Sequence, residues 1–301
     1  MLNILLIPIF LLLGIGLQQI KSLPGHTAKY LNLYLIYVVL PALALKYLPS
    51  VELKPELAFP VATAWISFAF SWLIFGFLGA QFNWNKSITG CLIITSGLAN
   101  TSFVGFPIVS ALYGEEAVKI ALLIDQAGSF IIVSSVAVIV ASIYSSGKKR
   151  KRDISKKILT FPPFIFFMVA IIMNLSGIHT PEILKSVLDF VAMTLTPVAL
   201  TAVGLQVNIN LNAIMSKYLW FGLTYKLLFI PLVILLLFKH IFQLEGMLFK
   251  VSVIETAMAP MITGSIIAIS HNLEPKLASL LVGVGIPLSF LTIGLWYYIL
   301  G

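Results

Sequence analysis

Gly97-Leu-Ala-Asn-Thr-Ser-Phe-Val-Gly-Phe-Pro107 lies in the middle of a long apolar run. A helix continued through it would carry two glycines and a proline in its interior, and the proline removes one N–H donor while its ring collides with the preceding turn. In hydrocarbon the backbone groups so released find no water, so a break of this kind must be buried in protein or line a cavity. A second interruption, Glu255-Thr-Ala-Met-Ala-Pro-Met-Ile-Thr-Gly-Ser265, punctuates another apolar segment in the other half of the chain. Paired interruptions in corresponding parts of two halves point to the binding site of a membrane carrier.

The composition agrees with a membrane setting. Of the 301 residues 59% are hydrophobic and 10% charged, and the mean hydropathy is +1.04, far from a soluble domain. The net charge of +8 does not point to nucleic acid, because seven of the nineteen Lys and Arg fall between Lys148 and Lys157 in one short segment flanked by apolar runs. That is a topology signal. The single cysteine, Cys91, sits in an apolar run and reads as a packing residue. The N-terminus, Met-Leu-Asn-Ile-Leu, has neither a basic region nor a small-residue cleavage pattern and reads as a span, not a signal peptide.

At about 20 apolar residues per crossing, ten spans are expected, over about 2–20, 30–48, 59–80, 88–112, 117–145, 159–177, 184–205, 216–238, 247–270 and 276–300. The expected fold is all-α and integral to the membrane, with the fourth and ninth helices broken and crossing. Placing the basic loop 146–158 in the cytoplasm fixes the remaining loops by alternation. Lys21, Lys29, Lys86, Lys217 and Lys276 then fall inside, Glu52, Glu56, Glu115, Glu116, Glu182 and Glu245 outside, and both termini outside the cell membrane. The loop divides the chain into five spans over 1–145 and five over 159–301, and an odd number makes the two halves inverted. A shift of 158 residues aligns the fourth span with the ninth, pairing Ala99 with Ala257 and Ile108 with Ile266. Pro41-Ala-Leu-Ala in the second span matches Pro197-Val-Ala-Leu in the seventh.

Helices broken near the midplane present free N–H groups and a positive dipole end on the half that follows, and free carbonyls on the half that precedes. Asn100 and Thr101 are therefore expected either to cap the following half-helix or to bond a ligand's carboxylate. Gly105 and Pro107 permit the irregular backbone; Pro260, Met261 and Thr263 take the matching part across the repeat. Glu255, deep in an apolar segment, is a candidate for binding a proton or a sodium ion as coupling ion, against the plainer reading of a buried pair with Lys226. Lys226 is a candidate contact for an acidic substrate; it could equally neutralise Asp125, itself a second coupling-ion candidate. Gln126 reads as an interhelical hydrogen-bonding group. His26, His179, His240 and His271 have no metal-binding spacing, and no phosphate loop, nucleophile elbow or zinc-protease signature is visible.

Ala99-Asn-Thr-Ser-Phe-Val-Gly-Phe-Pro-Ile-Val109, Leu195-Thr-Pro-Val-Ala-Leu-Thr-Ala-Val-Gly-Leu205, Ala257-Met-Ala-Pro-Met-Ile-Thr263 and the closing Trp296-Tyr-Tyr-Ile-Leu-Gly301 together resemble the auxin efflux carrier family, over nearly the whole chain. The resemblance implies ten spans in two inverted five-helix repeats, similar to bile-acid/sodium symporters, with a scaffold and a transport domain. It also implies a substrate-contacting role for Asn100, a crossover at Pro107 and Pro260, and, by likeness to the symporters, a sodium-binding role for Glu255. Met261 stands where plant exporters carry glutamine, and their long cytoplasmic loop is reduced to about a dozen residues. Small carboxylates such as malate, carried by bacterial relatives, fit this compact form better than an indole carboxylate. The expectation is a secondary carrier of a small organic anion in the cell membrane, with no cofactor beyond a coupling sodium ion or proton, no nucleic-acid partner, and the homodimer left open. The rivals are an auxin-like indole carboxylate exporter, an ion channel or signalling protein on the same fold, and an intramembrane enzyme, against which the lack of paired catalytic groups counts.

Overall fold

The structure, a computed structural model, describes residues 2–20, 22–145, 161–207 and 215–301. The basic loop and Lys21 lie outside the described residues. Among the described residues twelve helical segments follow one another: α1 Leu2–Leu17, α2 Thr27–Ser50, α3 Pro55–Gln81, α4 Lys86–Gly97, α5 Thr101–Tyr113, α6 Glu115–Tyr144, α7 Pro162–Leu175, α8 Glu182–Gly204, α9 Lys217–Ile241, α10 Gly246–Thr256, α11 Ile262–Ser270 and α12 Pro275–Leu300. Among the described residues there is no strand, only one isolated bridge. Among the described residues six helices, α2, α3, α6, α8, α9 and α12, are long and apolar enough to cross a membrane. The described parts of the first and sixth expected spans are shorter, with 16 residues in α1 and 14 in α7.

The helices pack in two groups. In one, α1 lies along α8, while α2 packs on α7 and α8. Backbone approach between α1 and α8 depends on Gly14 and Gly204: a Cβ on Gly14 would collide with the Thr201 carbonyl and the Gly204 Cα, and one on Gly204 with the Leu11 carbonyl. Small residues of this kind let helices meet backbone to backbone where lipid supplies no hydrophobic drive. The Gln18 amide then donates to the carbonyls of Gly204 and Val207, at 2.7 and 2.9 Å, closing the end of α8.

In the second group α3 packs on α4, α6 and α10, α4 also touches α6, α11 and α12, and α9 lies against α10 and α12. The site described next sits in this group, on the side where α5 and α6 meet α2, α7 and α8.

Candidate functional site

The site begins where two helices stop. After α4 ends at Gly97 the chain becomes extended at Leu98 (φ −109°, ψ 134°) and resumes at Thr101; after α10 ends at Thr256 it resumes at Ile262. The two gaps pair with each other. Asn100 N–H donates to the Ala259 carbonyl at 2.8 Å and Met261 N–H donates to the Leu98 carbonyl at 3.0 Å, flanking an antiparallel bridge between Ala99 and Pro260. In this pattern the bridged residues form the non-hydrogen-bonded pair, so the N–H that proline lacks is not needed by the partner strand. Backbone groups that lipid could not satisfy are thereby satisfied by each other.

Two cavities flank the pairing. The larger, about 290 Å³, is lined by Asn100, Ser102, Asp125, Gln126, Met261 and Thr263, with apolar walls that include Ile36, Leu40, Phe103, Phe130 and Phe161. The Asp125 carboxylate accepts hydrogen bonds from the Thr101 hydroxyl and from the Gln126 amide, the latter at 2.7 Å. The Asn100 amide nitrogen and the Gln126 amide oxygen are buried without a partner. Thr263 stands at the head of α11, among N–H groups that have no acceptor inside the helix.

The smaller cavity, about 10 Å³, has room for a single water molecule. Glu255 and Lys226 both line it, along with Thr63, Ser67, Thr101 and Thr256. Both are 0% exposed, and neither carboxylate oxygen nor the ammonium has a hydrogen-bond partner. Glu255 fits there because residue 105 is glycine: a Cβ at that position would overlap both carboxylate oxygens.

Three short π-helical segments, Thr101–Gly105, Ile124–Ser129 and Tyr225–Phe229, carry Thr101, Asp125 and Lys226 into the site. A π turn shifts the register of side chains and leaves a carbonyl to be satisfied otherwise, and such turns gather at functional sites. At the third, the Trp296 indole donates to the Leu227 carbonyl at 2.8 Å.

The chain matches the membrane transport protein family over residues 1–297. It belongs to this family, that of the auxin efflux carriers. It is 25% identical over 308 residues to an uncharacterized transporter of Methanothermobacter thermautotrophicus, and 24% identical over 315 residues to an uncharacterized transporter of Methanocaldococcus jannaschii. Each alignment covers 99% of this chain and 97% of the relative. The protein is thus a multi-pass membrane transporter, not an enzyme.

Within the transporter, the residues singled out from sequence are distributed unevenly. Asn100, Asp125, Met261 and Thr263 share the larger cavity, and Thr101, Lys226 and Glu255 share the smaller. Pro260 sits in the backbone pairing between them. Pro107 lines neither; it faces a third cavity of about 350 Å³ with Lys46, Glu115 and Thr196. Of the two roles open to Asn100 and Thr101, the side-chain cap does not occur. Asn100 has φ −81° and ψ 65°, outside the extended conformation of a capping residue, and makes no side-chain cap, while the Thr101 hydroxyl is committed to Asp125. Asp125 is held by Thr101 and Gln126, so Lys226 does not form an ion pair with it.

Sequence reasoning passed over Ser102, Phe130 and Phe161 in the larger cavity and Thr63, Ser67 and Thr256 in the smaller. One signal was available: Thr63, Ser67 and Ser71, four residues apart on α3, form a hydroxyl stripe, and all three are buried.

Proposed function

We propose that the transporter is a secondary carrier of a small organic anion, a mono- or dicarboxylate such as malate, whose site is alternately open to each side as the group holding α4, α5, α10 and α11 moves against the group holding α1, α2, α7 and α8. The observation that carries this reading is the pairing of Leu98–Asn100 with Ala259–Met261 beside the larger cavity. That pairing heads α5 and α11, whose N-terminal N–H groups and positive dipole ends suit an anion, and the unpaired Asn100 amide nitrogen is a ready donor to a carboxylate. On this reading α4 with α5, and α10 with α11, are the fourth and ninth of ten crossings. The repeats then run over 1–145 and 159–301, inverted, with loop 146–158 in the cytoplasm and both termini outside. Asp125, for a proton or a sodium ion, and Glu255, for a proton, are the groups through which a gradient would be coupled.

A second reading is favoured by the walls of the larger cavity. Phe103, Phe130 and Phe161, with aliphatic neighbours and one carboxylate, suit a monocarboxylate with an apolar body, such as an indole acid, better than a dianion.

Uptake into proteoliposomes across a panel of mono- and dicarboxylates and indole acetate, with sodium and proton gradients imposed separately, tests both. Asn100→Ala should leave the protein folded and lower uptake of the preferred anion about 10-fold or more, the scale of one lost hydrogen bond to a charged group. Unchanged kinetics in that variant would overturn Asn100 as a substrate contact.

A further inference from the structure

Glu255 and Lys226 stand outside the larger cavity and share the smaller one. Both are fully buried, on α10 and α9, and each lacks a hydrogen bond. An unpaired charge in such a place is costly, and yet they do not close on each other; they face the same cavity of about 10 Å³. Its other polar lining is hydroxyl. Thr63, Ser67 and Thr256 spend their protons on the carbonyls of Pro60, Thr63 and Ser252, at 2.6, 2.6 and 2.7 Å, and Thr101 spends its own on Asp125. Their oxygens therefore remain as acceptors. A carboxylate with hydroxyl oxygens around a water-sized space is the donor set of a small hard cation, but here the amino group of Lys226 already lines that space.

We propose that Lys226 is a resident replacement for a small monovalent cation at Glu255, and that removing its charge converts this cavity into a sodium or lithium site. The native transporter then needs no such cation at Glu255. That the replaced ion is a coupling ion rests on the carrier reading above; the sharing of one cavity by the two side chains does not.

The test is thermal unfolding of the purified full-length protein in detergent, with sodium, lithium or choline chloride at equal ionic strength, which needs no substrate and no transport. Native protein should unfold at the same temperature in all three salts. Lys226→Met should unfold several degrees higher in sodium or lithium than in choline, saturably, and Lys226→Met/Glu255→Gln should lose that response. A native protein that responds to sodium as strongly as the single variant, a folded single variant with no response, or a double variant that keeps it would each overturn the proposal. Should Lys226→Met prove too unstable to purify, the double variant is expected to be recovered, since it removes both charges; its equal loss also overturns the proposal. Failure of anion uptake in the native protein with the expected salt response would count against the carrier reading alone.

Discussion

Gly105 shows how one missing methyl group sets the chemistry beside it. Any side chain there would occupy the space of both Glu255 oxygens, so Gly105→Ala has to push the carboxylate out of the small cavity or push α5 away from α10. Either change should abolish gradient-driven accumulation while leaving an expressed, membrane-inserted protein, as read by uptake with and without an imposed gradient. Glu255→Gln keeps the shape and removes the charge; it should abolish accumulation while sparing exchange of substrate for substrate. Accumulation retained in that variant would remove Glu255 from any coupling role. Asp125 has a different setting. Its oxygens accept from Thr101 and Gln126, so Thr101→Val should act through Asp125 and leave Glu255 with its charge.

At the scale of the element, the decisive unit is the pairing of two gaps, and Pro260 is its tightest point. Its ring packs on Gly285 of α12, where an added Cβ would lie 2.7 Å from the proline Cδ. Pro260→Ala would leave a void against α12 and introduce a buried N–H pointing away from Ala99, with no partner across the bridge. A loss of about 1–3 kcal/mol is expected from the unsatisfied donor, seen as a lower unfolding temperature in detergent, whereas Pro231→Ala, elsewhere in α9, lacks this backbone pairing. The helix stops themselves were legible because glycine and proline act locally: Gly97 and the Pro260 region mark where α4 and α10 end. The placement of Asp125 and Lys226 was not. Both sit in π turns, Ile124–Ser129 and Tyr225–Phe229, which shift the register of side chains from that of an ideal helix, and Asp125 is held by Thr101 and Gln126 instead of by Lys226. Asn100 as a cap failed for a similar reason, since pairing with Ala259 fixed its backbone in a conformation unsuited to capping.

For the whole molecule, the question is whether the two packed groups move as bodies. Lys46, near the end of α2, tests it, because it reaches into both. It forms ion pairs with Asp189 of α8, in its own group, at 2.9 Å, and with Glu115 at the start of α6, in the other, at 3.3 Å. Exposed ion pairs contribute little stability, and Glu115 is largely exposed, with 66% of its side chain accessible. The pair with Glu115 is therefore weak enough to break in each cycle, while that with Asp189 travels unbroken within one group. If the groups slide past each other, tying Lys46 to Glu115 must arrest transport, and tying Lys46 to Asp189 must not. In a Cys91→Ala background, Lys46→Cys/Glu115→Cys joined by a short, reducible thiol cross-linker should lose uptake and regain it on reduction. Lys46→Cys/Asp189→Cys treated in the same way should retain most of its uptake. Equal uptake by both cross-linked proteins would mean that the two groups do not move against each other at this edge, and alternating access by relative movement of the groups would fail there.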